Sequence, residues 1–199
     1  SLLMSQATGE VRHNKVGANV CPDPGVTRSL PALQFRRNAD DGPYEGILEI
    51  WNNRVTGFPY GIRVESETGP RIVGNYIENI RFLGVDLQAG DGGSILFNTF
   101  RRIDQPHESG HAGLLAQEVL LNELRGNVFV DLGLGARLDP NRVTLNAHNL
   151  YFGNALDCEA ANNDRSECLG QNVVRGSDPR LDAQGMLTSG SVAAFDRDP

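Results

Sequence analysis

The chain is poor in lysine and has no long apolar run. Of its 199 residues, 18 are basic, and Lys15 is the only lysine among them. Lysine is therefore a poor candidate for a catalytic base. No apolar stretch approaches the length that crosses a bilayer, so the sequence predicts neither a membrane-spanning helix nor a membrane partner.

Positive charge is also scarce overall. The formal net charge is −7, whereas nucleic-acid binding needs a basic surface that neutralises phosphates. We therefore expect no nucleic-acid partner. Hydrophobic residues make up 39% of the chain and charged residues 22%, which indicates a folded rather than a disordered protein. The 23 glycines favour β structure with many turns.

Cysteine is limited to three residues, an odd number that fits neither a disulfide scaffold nor a metal site. Cys158 and Cys168 flank a polar loop and are either bridged or two buried thiols, which would leave Cys21 alone. We expect no metal ion and no cofactor. Asp40-Asp41-Gly42 and Asp91-Gly92-Gly93 are typical of turns, with calcium binding there as the weaker alternative.

An asparagine motif repeats along the chain. In each copy, an asparagine is followed two residues later by a large apolar residue. The six copies begin at Asn14, Asn53, Asn75, Asn98, Asn127 and Asn149. A second motif, a small residue followed by alternating apolar positions, lies between them. Its clearest copies begin at Gly61, Gly84, Gly113 and Gly135, with weaker copies at Ala32 and Ala155.

The spacing of the two motifs is the strongest indication of the fold. Each of the four glycines precedes the next asparagine of the series by 14 residues, as Gly61 precedes Asn75. The step from asparagine forward to glycine varies from 8 to 15 residues. A fixed segment followed by a corner that accepts insertions is typical of a stacked repeat. The pattern therefore predicts coils of about 22 residues.

Stacked parallel strands explain this pattern physically. Strands of successive coils would pair about 4.8 Å apart, and alternate side chains would point inward. The asparagine would lie at a bend between two strands, because it tolerates the left-handed conformation and its amide can bond to the same amide in the next coil. The predicted inward residues are Ile50, Ile62, Val64, Ile72, Val85, Leu87, Ile95, Leu114, Ala116, Leu124, Ala136 and Leu138.

The asparagine series resembles the asparagine ladder of right-handed parallel β-helix proteins, the pectate-lyase-like superfamily. The resemblance implies an all-β solenoid, a right-handed single-stranded parallel β-helix of about six coils. It does not imply one activity, since that superfamily includes lyases, hydrolases, epimerases, phage tailspikes and adhesins. The alternatives are a β-sandwich or an α/β protein. Residues 114–124 have helical apolar spacing when taken alone, but the constant step of 14 residues around them favours strands.

The chain is predicted to have two regions. Residues 1–160 would form the coils, and residues 161–199 would form an irregular C-terminal closing segment. Because Val11 aligns with Ile72, the chain begins inside a coil, and an open coil end exposes unpaired strand edges. We therefore expect an N-terminal truncation, with the missing portion or another chain capping that end.

Resemblance to the carbohydrate-active members implies a substrate groove along the outer face of the first sheet. One predicted outward row contains Gln34, Arg63, Asp86, Leu115, Arg137 and Asp157, and the next contains Arg36, Glu65, Gln88, Gln117, Asp139 and Glu159. The predicted substrate-binding residues are Arg63, Glu65, Gln88, Gln117, Arg137 and Asp157. Arginine can bind a uronate carboxylate or a sulfate in bidentate fashion. The alternative is that Arg63 with Asp86, and Arg137 with Asp157, form stabilising cross-strand ion pairs.

The predicted catalytic residues are Asp86 and Asp139, with His107 or His111 as a general base. Carboxylates one or two coils apart would be separated by roughly 5 or 10 Å, which brackets the distances that glycosidases use. Both histidines lie in a long corner beside the groove, and the alternative is a plain exposed loop. The catalytic motifs of lyases, epimerases and polygalacturonases that resemble this fold do not map onto the chain. Whether the protein is an enzyme is therefore left open.

Two functional hypotheses follow from these residues. The first is a secreted carbohydrate-binding or carbohydrate-active β-helix protein, such as a lyase, hydrolase or epimerase acting on an acidic polysaccharide. The second is a non-catalytic β-helix module, namely an adhesin, a spike segment or a structural spacer. A polysaccharide or other glycan is the expected partner, and the expected location is secreted, cell-surface or periplasmic.

Overall fold

The structure is a computed structural model that describes residues 2–5, 9–17, 31–36, 47–103, 111–160, 168 and 170–182. These residues form an all-β fold with three parallel sheets. From the first strand to the nineteenth, the chain visits the three sheets in strict rotation. This arrangement is compatible with a solenoid-like parallel β-helix. The described part of the chain contains no helix long and apolar enough to cross a membrane.

The three sheets contain seven, six and seven strands. The first sheet has the order β1 (Leu2–Ser5), β4 (Pro31–Arg36), β7 (Tyr60–Thr68), β10 (Leu83–Asp91), β13 (Ala112–Ala116), β16 (Leu134–Leu138) and β19 (Leu156–Ala160). The second contains β2 (Gly9–Arg12), β5 (Leu48–Trp51), β8 (Arg71–Val73), β11 (Gly93–Leu96), β14 (Leu121–Arg125) and β17 (Val143–Ala147). The third contains β3 (Lys15–Gly17), β6 (Arg54–Thr56), β9 (Tyr76–Glu78), β12 (Thr99–Arg101), β15 (Val128–Val130), β18 (Leu150–Phe152) and β20 (Val174–Arg175).

The core lies between the three sheets and contains every residue predicted to point inward. All twelve of those side chains are buried in one hydrophobic cluster. Phe100, Phe129 and Tyr151 stack in the same core, with ring centroids 4.8 and 4.9 Å apart. Residues 114–124 are divided between β13 and β14, as the fixed spacing predicted. Stacking of like side chains in successive repeats therefore builds the apolar core.

A row of asparagines runs along the bend between the second and third sheets, and Asn75 shows its bonding. The Nδ2 of Asn75 donates to the backbone oxygen of Ile50 at 2.8 Å and to Oδ1 of Asn98 at 3.0 Å. Its Oδ1 accepts from the backbone nitrogen of Asn53 at 2.9 Å. A buried amide would destabilise the fold if it lacked partners, so this complete bonding makes the polar row compatible with a dry interior.

The same bonds recur from one repeat to the next. Each asparagine side chain in the row donates to the Oδ1 of its successor, from Asn14 through Asn53, Asn75, Asn98 and Asn127 to Asn149. Asn14 is exposed, whereas the other five are buried. At the far end of the row, the Nδ2 of Asn149 donates instead to Oδ1 of Asn146 at 2.9 Å.

The prediction that these asparagines take the left-handed conformation is wrong. The residue before each of them does so, with φ between 53° and 67°. These residues are His13, Asn52, Gly74, Phe97, Gly126 and His148. The asparagine has to aim its side chain inward to bond with the next repeat, so its neighbour makes the bend.

A close approach of successive turns accounts for the glycine that starts each fixed segment. A Cβ at Gly84 would lie 2.5 Å from the backbone oxygen of Gly113 and 2.6 Å from Cδ1 of Ile103. Similar contacts with backbone and core side chains surround Gly61 and Gly135. Only a residue without a side chain fits where the turn touches both its neighbour and the core.

The C-terminal end of the stack is closed in part by residues 168–176. Cys158 and Cys168 form a disulfide, with their Cα atoms 6.0 Å apart. Gln171 forms a parallel bridge with Ala147, and β20 pairs with β18. This segment therefore continues the second and third sheets beyond β17 and β18. Cys21 lies outside the described residues.

Candidate functional site

The outer face of the first sheet carries most of the residues predicted to bind substrate. Gln34, Arg63, Asp86, Leu115 and Arg137 are register partners on successive strands, as predicted. The Nε of Arg63 donates to Oδ2 of Asp86 at 2.7 Å. The cross-strand ion pair offered as the alternative for these two residues is therefore present.

The predicted pairing of Arg137 with Asp157 is wrong. Leu134 pairs with Leu156, which brings Arg137 opposite Glu159. The Nε of Arg137 donates to Oε2 of Glu159 at 2.7 Å. Asp157 instead accepts a hydrogen bond from the Nε of Arg175 at 2.7 Å. The last repeat is thus displaced by two residues from the expected alignment, and alternation with a period of two does not reveal such a shift.

A bulge in β10 also changes the predicted second row. Leu87 pairs with Val64, but the next partner of β7 is Ala89, which lies opposite Glu65. Gln88 is the extra residue, and its Nε2 donates to Oδ2 of Asp86 at 2.9 Å. Glu65 accepts a hydrogen bond from the Nε2 of Gln34 at 3.1 Å. The predicted side-by-side placement of Gln88 and Glu65 is therefore wrong, and the bulge turns Gln88 toward Asp86.

A shallow pocket of about 340 Å³ lies on this face between β10 and the end of β13. We call it the Asp86 pocket, and its lining residues are Asp86, Leu87, Gln88, Leu115, Gln117 and Glu118. Two of the predicted binding residues, Gln88 and Gln117, thus meet one predicted catalytic residue, Asp86. The remaining predicted binding residues do not line the pocket.

Asp86 is the most unusual group in the pocket. Its side chain is only 2% exposed, although it lies on the outer face of the sheet. Arg63 and Gln88 both bind Oδ2, while Oδ1 is buried and has no hydrogen-bond partner in the described part of the chain. The Arg63 guanidinium is held in turn above the ring of Tyr60, 4.3 Å from its centroid. A buried carboxylate oxygen without a partner is energetically costly, which points to a hydrogen-bond donor from outside the protein.

The other predicted catalytic residues do not join Asp86. Asp139 caps the short 3-10 turn Pro140–Arg142, accepting from the backbone nitrogen of Asn141 at 3.0 Å, and it pairs with Arg142 at 3.6 Å. His111 packs against Phe82, with ring centroids 4.9 Å apart. Within the described ranges, no hydrogen bond joins His111 to Asp86 or Asp139. His107 lies outside the described residues.

The described residues contain no group of three or more His, Cys, Asp or Glu side chains that could hold a metal ion. Asp91 belongs to a turn, as predicted, and its Oδ1 accepts from the backbone nitrogen of Leu120 at 3.0 Å. The other predicted turn, residues 40–42, lies outside the described part of the chain. The predicted absence of a cofactor stays a prediction.

Glu118 is a pocket residue that the sequence did not identify. It is exposed and follows the end of β13, beyond the alternating positions from which the two outward rows were drawn. The one available signal was Leu115, which interrupts a row of otherwise polar residues and marks a place where the outer face is not closed by an ion pair.

The pocket combines carboxylate and amide groups with the apolar side chain of Leu115. Such a lining suits a ligand that has hydroxyl groups on its edges and an apolar C–H surface on one face. Comparison of the chain with protein-family models, with curated proteins and with solved structures finds no match.

Proposed function

We propose that the chain is a right-handed parallel β-helix of about six coils with an asparagine ladder, similar to the pectate-lyase-like superfamily. Two observations support this proposal. The chain visits three parallel sheets in rotation, and hydrogen bonds link the asparagines of successive repeats. Right-handed connection is the favoured geometry for parallel strands joined in this way.

Within that fold, the proposed function is that of a secreted carbohydrate-binding protein that holds a glycan in the Asp86 pocket. The observation that carries this proposal is the buried Oδ1 of Asp86, which has no partner among the described residues. A sugar hydroxyl would donate to this oxygen, and the Gln117 amide would bind a neighbouring hydroxyl. The C–H face of the sugar ring would pack on Leu115.

The charge of the pocket favours an uncharged sugar unit. Asp86 and Glu118 both line it, whereas the nearest arginine, Arg63, is already paired with Asp86. A uronate carboxylate bound at this place would meet two like charges. The acidic polysaccharide expected from the sequence is therefore not the ligand proposed for this pocket.

A secreted, cell-surface or periplasmic location fits the same proposal. The Cys158–Cys168 disulfide supports it, because disulfides persist mainly in oxidising compartments. The proposal includes a glycan partner and no nucleic-acid partner, in keeping with the net charge of −7.

Binding would be tested by calorimetry with tetrasaccharides of glucose, galactose, mannose and xylose. We expect one of them to bind with a Kd of about 0.1–1 mM, and Gln117→Ala to weaken that binding roughly tenfold. Gln171→Ala is the matched control, because Gln171 is exposed and far along the stack from the pocket. Failure of all four sugars to bind, or equal binding by Gln117→Ala, would refute the site and favour the structural-spacer hypothesis.

A glycoside hydrolase is the second candidate, because two carboxylates line one pocket. Hydrolysis of a glycosidic bond uses one carboxylic acid and one carboxylate on either side of it, the roles proposed for Glu118 and Asp86. Release of reducing ends from a bound tetrasaccharide, abolished by Glu118→Gln, would support this activity. Binding without release would leave the protein a non-catalytic binding module.

A further inference from the structure

A second pocket lies on another face of the molecule, at the end of two strands of the second sheet. We call it the Trp51 cleft, and its lining residues are Glu49, Trp51, Asn52, Arg71 and Val73. The volume of the cleft is about 290 Å³. Trp51 and Val73 are register partners on β5 and β8, as are Glu49 and Arg71, so the sheet itself fixes the positions of these side chains.

Trp51 supplies a large, partly exposed aromatic surface in the cleft. The ring of His13 meets it edge-on, with centroids 4.8 Å apart, and the Arg12 guanidinium lies 5.2 Å from its centroid. These contacts on the neighbouring strand and bend restrict the orientation of the indole. An aromatic ring held in this way is a rigid platform for a flat apolar surface, at little entropic cost on binding.

The charge of the cleft is opposite to that of the Asp86 pocket. Arg71 pairs with Glu49 at 3.2 Å, and both side chains are well exposed, at 53% and 39%. Arg12 adds a second cation beside Trp51. The described side chains around the cleft thus carry two arginines against one carboxylate, within a chain of net charge −7. Because the Arg71–Glu49 pair is exposed, it is weak, and Arg71 can rearrange toward a ligand anion.

We propose that the Trp51 cleft binds a hexuronate unit of an acidic polysaccharide. The C–H face of the sugar ring packs on Trp51, and its carboxylate takes a bidentate hydrogen bond from Arg71. The sugar hydroxyls bond to Glu49 and Asn52 at the rim. The volume is at the small end of the range for ligand sites, about 300–1,000 Å³, and so matches a single sugar unit. This proposal does not depend on the Asp86 pocket, which lies on a different sheet.

Fluorescence gives a direct test, since Trp51 is the only tryptophan in the chain. The full chain would be titrated with trigalacturonate at low salt, with calorimetry on the same samples. We expect a saturable change in tryptophan emission with a matching heat of binding. Galactotriose, the uncharged counterpart, should produce neither. Arg71→Gln should weaken trigalacturonate binding roughly tenfold, because it removes the charged bidentate donor but keeps a side chain of similar length.

Two controls separate this site from the Asp86 pocket and from loss of the fold. Gln117→Ala should leave trigalacturonate binding unchanged, whatever it does to neutral sugars. Arg71→Gln should unfold at the same temperature as the parent chain, since the ion pair that it removes is exposed. The absence of both heat and fluorescence change, equal binding of the uncharged trisaccharide, or unaltered binding by Arg71→Gln would each overturn the proposal.

Discussion

The asparagine row and the outward row of the first sheet both place a polar residue in successive repeats, yet they differ in how those residues are bonded. In the asparagine row, the same bonds recur from Asn53 to Asn127. In the outward row, ion pairs join Arg63 to Asp86 and Arg137 to Glu159, and Leu115 interrupts the series between them.

The difference separates the residues that hold the stack together from those available for a ligand. A row whose donors and acceptors are all bonded internally has nothing to offer a partner. A row that is interrupted leaves Oδ1 of Asp86 without a partner within the described residues, next to a pocket. We therefore expect mutations in the first row to affect folding, and mutations beside Leu115 to affect binding.

The largest effect is expected in the asparagine row. Asn75→Ala should lower the free energy of unfolding by about 3 kcal/mol, because it leaves the buried groups of Asn53, Ile50 and Asn98 without a bond. Asn14→Ala, at the exposed end of the same row, should cost less than about 1 kcal/mol. Urea unfolding would measure both values. Equal costs at the two positions would mean that burial of the row does not matter.

The next effect concerns the outward row, where two ion pairs differ in burial. Arg63→Met should cost about 2 kcal/mol, because it leaves a carboxylate that is 2% exposed without its cation. Arg137→Met should cost about 1 kcal/mol or less, since Glu159 is 17% exposed. The two variants are matched controls for each other in the same unfolding assay. A larger loss at Arg137 would contradict the contrast drawn between the two pairs.

Tyr151 tests whether an unbonded polar group in the core is a liability. Its hydroxyl is buried and has no partner among the described residues. Tyr151→Phe should therefore stabilise the fold by about 1 kcal/mol at neutral pH while keeping the ring stacked on Phe129. Thermal unfolding would measure this gain, and a loss of stability would show that the hydroxyl has a partner.

The same residue predicts a pH dependence. Burial, with a smaller contribution from the charge of Asp157, raises the pKa of Tyr151 above its ordinary value. The neutral phenol is therefore favoured in the folded state. Its contribution to stability is complete below the unfolded-state pKa of about 10 and is lost as the pH rises toward the folded-state value. Tyr151→Phe should lose less stability than the parent chain between pH 9 and pH 11 in urea titrations, estimates set by that reference pKa.

The smallest effect concerns the bend beside the asparagine row. Phe97 has a φ of 55° and is half exposed, so it adopts a left-handed conformation that disfavours a bulky side chain. Phe97→Gly should be more stable than Phe97→Ala by roughly 0.5–1 kcal/mol, because both lose the ring and only glycine relieves the backbone strain. Equal stability in denaturant unfolding would show that the bend is not strained.

The inward residues could be predicted from the sequence because two independent patterns agreed on them. Alternation gave the face of each strand, and the step of 14 residues fixed the register between repeats. Ile62, Val85 and Leu114 illustrate the agreement, since each is buried and in register with the next. Patterns that recur in this way reflect the packing of the whole stack.

The remaining features depend on events that occur only once. A shift of two residues in the last repeat keeps the alternation intact, so the pairing of Arg137 with Glu159 left no trace in the pattern. The bulge at Gln88 and the position of Glu118 depend on local backbone geometry. The left-handed bends are occupied by residues as different as His13, Phe97 and Gly126, so composition could not reveal them.

The closed bonding of the asparagine row has a consequence for the length of the protein. Asn53 bonds to Asn75, and Asn75 bonds to Asn98, through the same atoms at nearly the same distances. Residues 76–98 therefore form an interchangeable module whose removal would leave Asn75 facing Asn127, the residue that now receives the bond from Asn98. Length in this architecture can change by whole modules, each adding or removing about 4.8 Å along the stack axis.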